Sequence, residues 1–263
     1  MSKIEKDQQI GITETGDICF HLEAFDDLCR ANIIVTKRLT AKLIAKLVEH
    51  KDKCIFHFTI TGMGNSKLEP MTPSKEQSFK MFNNLITAGF PVEQVVLRVD
   101  PIIPTSKGIV TAMGVLKLFK DSGITRIRYS SFDMYEHVKE RFAAEGIKLP
   151  FETFHADLKD RKILDTTIND CAFMMNAQVE ACGEPGIQTT GCISIRDLEI
   201  LGLQDEIMLV GSANQRGSCS CASNKTQLIK YGYNPYYIWE YDMKSMSDGD
   251  ILNYIKNIIN ENC

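Results

Sequence analysis

Strand and helix patterns alternate along most of the chain, and this alternation constrains the fold more than any other feature. Short apolar and β-branched runs are spaced by stretches with helical period, which is typical of parallel βαβ units. The five predicted strands carry the sequences NIIVT, CIFHFTI, QVVLRVDP, TRIRYSSFD and QVEACGE. The sequence therefore predicts an α/β fold: a partial or complete (β/α) TIM-like barrel with parallel strands and a C-terminal extension.

The boundaries of the elements and domains follow from local signals. Thr40 and Ser74 are predicted helix N-caps, and Gly89 is predicted to end the second helix. No internal repeat or Gly/Ser-rich linker interrupts the chain, so we predict one barrel domain at residues 1–230, including a Cys-rich segment at 182–221. Residues 231–263 are predicted to be an aromatic segment and a helix that pack on the barrel.

Charged residues alternate with apolar ones inside the predicted strands. A period of two residues places Arg98 and Asp100 on one face of the third strand, and Val95, Leu97 and Val99 on the other. Two other strands carry polar residues on the same side: His57, Thr59, Thr61, Arg126, Arg128 and Ser130. Because buried charge is costly unless it is paired, we interpret this inner face as a ligand cavity. A structural ion pair between Arg98 and Asp100 is the alternative.

Polar residues also follow the carboxyl ends of the predicted strands. In (β/α) barrels this edge carries the catalytic and cofactor-binding groups. We interpret Asp133 at this edge, and Arg128 on the inner face of its strand, as candidate catalytic residues. The other polar groups at this edge are Lys37, Arg38, the loop Thr61–Gly64, Glu69, Asp100, Cys182 and Glu184.

Four cysteines fall in one segment, and the last two form a C-x-C pair. They are Cys182, Cys192, Cys219 and Cys221. Thiolates grouped in this way are typical ligands of an iron–sulfur cluster or of zinc, although free cysteines also serve as small buried apolar residues. The opening residues lack the apolar core of a signal peptide, and no run approaches the roughly 18 apolar residues of a membrane span. We therefore expect a cytoplasmic protein with reduced thiols and no membrane partner.

The net charge bears on the partners of the protein. A formal net charge of −4 argues against broad electrostatic attraction to nucleic acid. The sequence still allows a local basic groove, because several basic residues could form one: Lys37, Arg38, Arg126, Arg128, Lys139 and Arg141. The aromatic run Tyr231–Tyr241 could stack on bases, or it could dock the C-terminal segment.

Several motifs in matching order carry a resemblance to a known family. Between about Asn32 and Ile229 they read NIIVTKR, HFTITGMGNSKLEP, VVLRVDPIIP, RYSSFDMYEHVKERF, EACGE, GCISIRDLEILGL and NQRGSCSCASNKTQLI. The chain resembles the radical S-adenosylmethionine (SAM) enzymes, in particular the spore photoproduct lyase-like branch and its uncharacterised relatives.

The resemblance implies SAM and a [4Fe–4S] cluster as cofactors, with an electron from the cluster cleaving SAM to a 5′-deoxyadenosyl radical that abstracts hydrogen from the substrate. It implies a small-molecule or nucleobase substrate, with nucleic acid as a further partner, and an electron donor such as a flavodoxin or ferredoxin. Cys171 or Cys182 could then act as a hydrogen donor. The SAM contacts implied by the resemblance are Thr61, Gly62, Met63, Gly64, Arg98, Asp100 and Glu184.

One departure from the family pattern concerns the cluster. The pattern contains a CxxxCxxC motif after the C-x-C pair, but the corresponding segment here, KYGYNPYYIWEYDM, has no cysteine. Three thiolates hold such a cluster and leave one iron open for SAM. Two interpretations stay open. Cys182, Cys192, Cys219 and Cys221 hold a cluster in another arrangement, or the cluster is lost and the barrel is a binding or scaffold protein with a structural zinc site on these cysteines.

Overall fold

Six parallel strands form one sheet in which sequence order equals spatial order. The computed structural model describes residues 10–13, 17–182, 185–188 and 194–207. Each strand pairs in parallel with the next. The strands are β1 (Ile10–Ile12), β2 (Ala31–Thr36), β3 (Cys54–Thr59), β4 (Val95–Ile102), β5 (Arg126–Ser131) and β6 (Gln178–Ala181).

Helices connect the strands and confirm the predicted βα alternation. The helices are α1 (Ala41–Glu49), α2 (Lys75–Thr87), α3 (Ser106–Phe119), α4 (Glu136–Ala144), α5 (Leu158–Met174) and α6 (Ile195–Ile200). Short 3-10 helices cover Ile18–Phe20, Leu22–Asp27, Lys51–Lys53 and Val92–Gln94. Within the described residues β1 and β6 do not pair with each other, so the α/β fold is a partial TIM-like barrel with an open sheet.

The helix ends are fixed by the residues that the sequence indicates. Thr40 accepts a hydrogen bond from the amide of Leu43 and so caps α1. Ser74 and Gln77 form a reciprocal capping box at the start of α2. Just past the end of that helix, Gly89 has a φ of +98°, a left-handed conformation that glycine adopts without steric cost. All three predictions are confirmed.

The two faces of the sheet pack against different elements. The helix-facing side buries one large apolar cluster with α1, α2, α3 and α5, and this cluster includes Val95, Leu97 and Val99. The opposite side, which we call the inner face, buries Ile33, Val35, Ile55 and Val96 near the amino ends of the strands, where α6 packs through Ile200 and Leu201. The period-two interpretation of β4 is therefore confirmed.

Strand β1 is absent from the sequence prediction. It has only three residues, IGI, which is too short for a periodic signal. In the structure it pairs with β2 in the register Ile10↔Ala31 and extends the sheet at that edge. The described residues belong to the first compact unit of the chain, Met1–Ser220. The predicted aromatic segment and helix at residues 231–263 lie outside the described residues.

Candidate functional site

An ion pair on the inner face lies at the carboxyl end of β4. The Nε and Nη2 atoms of Arg98 lie 2.7 and 2.6 Å from Oδ2 of Asp100. Ser130, on the neighbouring strand β5, donates its hydroxyl to the other carboxylate oxygen of Asp100. Side-chain exposure is only 7% for Arg98 and 16% for Asp100, so this charged group is largely shielded from water. The peptide bond between Asp100 and Pro101 is cis.

The surroundings of Asp100 keep its carboxyl group ionised. Burial acts to raise the pKa of this group, because a charged carboxylate is disfavoured away from water. The charge of Arg98 and the hydrogen bonds from Ser130 and Arg98 outweigh burial, and the charge of Lys37 adds to their effect. The pKa of Asp100 is therefore held below its ordinary value, and the ionised carboxylate is paired with the guanidinium of Arg98.

A second polar group surrounds the loop after β3. Thr61 donates its hydroxyl to Glu69, and Nζ of Lys37 lies 2.5 Å from Oε1 of the same carboxylate. The amide of Met63 donates to the Thr61 hydroxyl at 3.1 Å. The predicted rim residues Lys37, Thr61 and Glu69 are thus brought into direct contact at the carboxyl ends of β2 and β3.

Two glycines allow this loop to pack closely on its neighbours. Gly62 has a φ of +77°, and a Cβ atom placed there would lie 2.7 Å from Cγ2 of Thr111 in α3. A Cβ atom on Gly64 would lie 1.8 Å from the carbonyl oxygen of Pro73. Both distances are shorter than van der Waals contact, so only glycine fits this loop conformation at either position.

Asp133 forms a dyad with a histidine that the sequence does not single out. Oδ1 of Asp133 lies 2.8 Å from Nδ1 of His155, and an antiparallel bridge joins the two residues. The Asp133 side chain is 3% exposed, whereas that of His155 is 34% exposed. Burial and the charge of Arg161 lower the pKa of His155, which favours the neutral imidazole. Such a pair can transfer a proton.

A buried ion network occupies the inner face nearer the amino ends of β5 and β6. Arg126 lies 2.7 Å from Oδ1 of Asp197 in α6 and 3.2 Å from Oε1 of Glu180. Arg128, a candidate catalytic residue, lies 2.5 Å from Oε2 of Glu180 and has a fully buried side chain. The predicted polar inner face is present. In this lower layer, however, its arginines are matched by carboxylates rather than lining open space, so this part is a structural ion network.

Of the two predicted site cysteines that the structure describes, Cys182 lies at the carboxyl edge of the sheet and Cys171 does not. Cys182 follows β6 at the carboxyl end of the sheet, is buried, and donates its amide to the carbonyl of Tyr129 at 2.8 Å. Cys171 packs in the apolar cluster between α5 and the helix-facing side of the sheet, near the end of α5 that leads to the start of β6. The structure does not bring Cys171 to the rim, because α5 runs antiparallel to the strands.

The remaining predicted ligands cannot be placed. Glu184, Cys192, Cys219 and Cys221 lie outside the described residues. The five described cysteines are all free thiols. Among the described residues no group of three or more His, Cys, Asp or Glu side chains is arranged to hold a metal ion, and this finding does not bear on the four-cysteine group.

Sequence reasoning missed two features of the site. One is His155, which lies 22 positions after Asp133 in a segment without periodicity. The other is the pair of carboxylates, Glu180 and Asp197, that neutralises the two buried arginines. The single available signal was the alternation of residues in β6, which places Glu180 on the polar face beside Arg128.

The described residues define a class of fold: an open, parallel (β/α) partial barrel with hydrogen-bonded charged groups at the carboxyl ends of its strands. The chain belongs to the family described as Domain of unknown function (DUF1848), whose match covers residues 11–226. Comparison with curated proteins and with solved structures gives no significant match. In the described part of the chain, no helix combines the length and apolar character required to cross a membrane.

Proposed function

We propose that this protein is an enzyme of the radical SAM type that binds SAM at the carboxyl edge of its partial barrel. The observation that carries the proposal is the presence there of two charged clusters, which are near enough for the charge of Lys37 to help lower the pKa of Asp100. One consists of Arg98, Asp100 and Ser130. The other consists of Lys37, Thr61 and Glu69. Active sites of (β/α) barrels are built at this edge, and the resemblance of the motifs supports the same assignment.

The polar groups match the chemistry of SAM. The carboxylates of Asp100 and Glu69 can accept hydrogen bonds from the ribose hydroxyls or from the amine, and the guanidinium of Arg98 can bind the carboxylate. The Thr61–Gly64 loop adds backbone groups at the same edge, and Gly62 and Gly64 let it pack closely against Thr111 and Pro73.

The cluster is proposed on the resemblance and on the cysteines of the sequence. When bound, a [4Fe–4S] cluster supplies the single electron that cleaves SAM. Cys182 is the member of the four-cysteine group that the structure describes, and its position beyond β6 lies at the same edge as Asp100. A nucleobase, nucleotide or nucleic-acid base as substrate rests on analogy with the spore photoproduct lyase-like branch.

Calorimetric titration with SAM tests the cofactor site directly. We expect saturable binding to the purified protein, weakened about tenfold in Asp100→Asn because a charge-assisted hydrogen bond is lost. Asp121→Asn is the matched control, since Asp121 is an exposed aspartate after α3, and its affinity should equal that of the wild type. If the wild-type protein shows no binding, or if both variants bind equally well, the assigned SAM site is wrong.

A further inference from the structure

A separate cavity opens at the rim beside the Thr61–Gly64 loop. It has a volume of about 520 Å³ and lies between this loop, the end of β4, the start of α3 and the segment that follows α4. Binding sites for small organic molecules typically have volumes of roughly 300–1,000 Å³. The cavity is therefore large enough for a ligand of nucleotide or cofactor size.

The walls of this cavity are largely apolar. Leu68, Ile103, Phe142 and Ile147 line it and belong to one hydrophobic cluster with Phe132. Since this cluster packs around an open volume, its side chains can bury the apolar part of a ligand without rearrangement of the fold. Apolar surface removed from water contributes about 25 cal/mol per Å² to binding before the entropic costs of association.

The charged residues that line the cavity all carry the same sign. They are Lys67, Lys107 and Lys148, and no aspartate or glutamate is among the lining residues. All three lysines are exposed, so their ammonium groups are accessible to a ligand that enters from solvent. Lys67 lies 3.7 Å from the carboxylate of Glu145, a weak surface pair that a ligand can replace.

Helix α3 adds to the positive potential at the same place. Thr105, its N-cap, and Lys107 and Gly108 of its first turn line the cavity. Although the Gly108 amide donates to the hydroxyl of Thr105, the helix dipole places partial positive charge at this end of the helix. The helix has 14 residues, so this effect is fully developed. Three lysines and a helix terminus therefore favour a negatively charged group.

We propose that this cavity binds a small anionic molecule with an apolar body, held by Lys107 and Lys148 at the mouth and by the apolar cluster inside. The anionic group is a phosphate, sulfonate or carboxylate. SAM is not suited to it, because its sulfonium would meet three ammonium groups. The cavity is adjacent to the Asp100 centre, because Pro101, the residue after Asp100, lines it together with Thr61 and Gly62. The proposal does not depend on SAM binding.

Two fluorescent probes that differ in charge test this inference. Anilinonaphthalene sulfonate has an anionic group and an apolar ring system, whereas N-phenylnaphthylamine has a similar ring system without the anion. We expect the sulfonate to bind the wild-type protein at one saturable site, and to bind the double variant Lys107→Gln/Lys148→Gln at least about tenfold more weakly. The affinity of the neutral probe should be the same in both proteins.

A matched control comes from another lysine pair beside apolar residues. Lys159 and Lys162 lie with Leu158 and Ile163 in a shallow groove on α5, and Lys159→Gln/Lys162→Gln should leave the sulfonate affinity unchanged. A second variant, Ile147→Trp, fills the cavity and should weaken both probes, with thermal melting used to verify folding. Equal affinity of the sulfonate for the wild type and the Lys107/Lys148 variant, or a loss confined to the α5 variant, would overturn the proposal.

Discussion

At Asp100, burial and neighbouring charge act in opposite directions on one carboxyl group. The folded protein holds the pKa of Asp100 below its ordinary value of 3.8, chiefly because Arg98 and Ser130 overcome the effect of burial. A group with a lowered pKa contributes stability above its unfolded pKa, and this contribution is lost as the pH falls through the folded value. The stability of the fold is therefore linked to ionisation at the candidate site.

The variant Asp100→Asn tests this linkage. At pH 7 we expect it to lower the free energy of unfolding by about 3 kcal/mol, because Arg98 is left buried without its counter-charge. The difference from the wild type should shrink as the pH falls below 3.8, where the unfolded carboxyl group is protonated. Urea titrations at several pH values measure it, and Asp121→Asn should give no comparable difference. A difference in the free energy of unfolding between wild type and Asp100→Asn that stays constant with pH would contradict this linkage.

Two thiols outside the four-cysteine group are predicted to react slowly. Burial raises the pKa of Cys54 to about 12, and burial together with the charge of Asp17 raises the pKa of Cys19 to about 12. Because the thiolate is the reactive form, alkylation by iodoacetamide at pH 8 should be at least about a hundredfold slower in the native than in the unfolded protein. Peptide mass spectrometry reads the two rates separately, and rapid native labelling of Cys54 would be inconsistent with its burial.

At the scale of elements, helix α6 is attached to the inner face by charge as well as by apolar packing. Asp197 is 2% exposed as a side chain and pairs with Arg126 at the start of β5. The same carboxylate accepts the amide of Ser194 at 2.7 Å and so completes the capping box of α6. The residue thus joins the segment after β6 to the barrel and also fixes the start of the helix.

Removing the charge of Asp197 should destabilise the fold. We expect Asp197→Asn to lower the free energy of unfolding by about 3 kcal/mol, since breaking a buried ion pair leaves an uncompensated charge. Glu199→Gln, an exposed change in the same helix, should cost less than about 0.5 kcal/mol. Denaturant titration of both variants provides the comparison. Equal stability of the two variants would indicate that the ion pair does not hold α6 in solution.

Most of the secondary-structure elements could be predicted from the sequence, but the long-range contacts between them could not. The βα alternation, the caps at Thr40 and Ser74, and the faces of β4 follow from local patterns and were predictable. The pairing of Arg126 with Asp197 joins residues 71 positions apart, and no local pattern encodes it. The sequence therefore indicated a polar inner face but could not distinguish a ligand cavity from an internally neutralised ion network. In the structure, Arg98, Arg126 and Arg128 on this face are each paired with a carboxylate.

For the whole molecule, the inner face of the sheet consists of three layers that differ in composition. Near the amino ends of the strands, apolar residues and α6 fill the inner face. Above them lie the arginine–carboxylate pairs, and at the carboxyl ends lie Asp100, the Thr61–Gly64 loop, the Asp133–His155 dyad and Cys182. Apolar and ion-paired layers thus lie below a polar edge, and this edge is where (β/α) barrels build their active sites.

Metal and sulfide analysis of protein purified without oxygen, combined with an assay for SAM cleavage, tests the central proposal most directly. After anaerobic reconstitution we expect iron and sulfide in cluster amounts, and release of 5′-deoxyadenosine from SAM when a reductant is added. The double variant Cys219→Ser/Cys221→Ser should lose both the iron and the product. Zinc alone, or no metal, in the reconstituted wild-type protein together with no 5′-deoxyadenosine would contradict the radical SAM assignment.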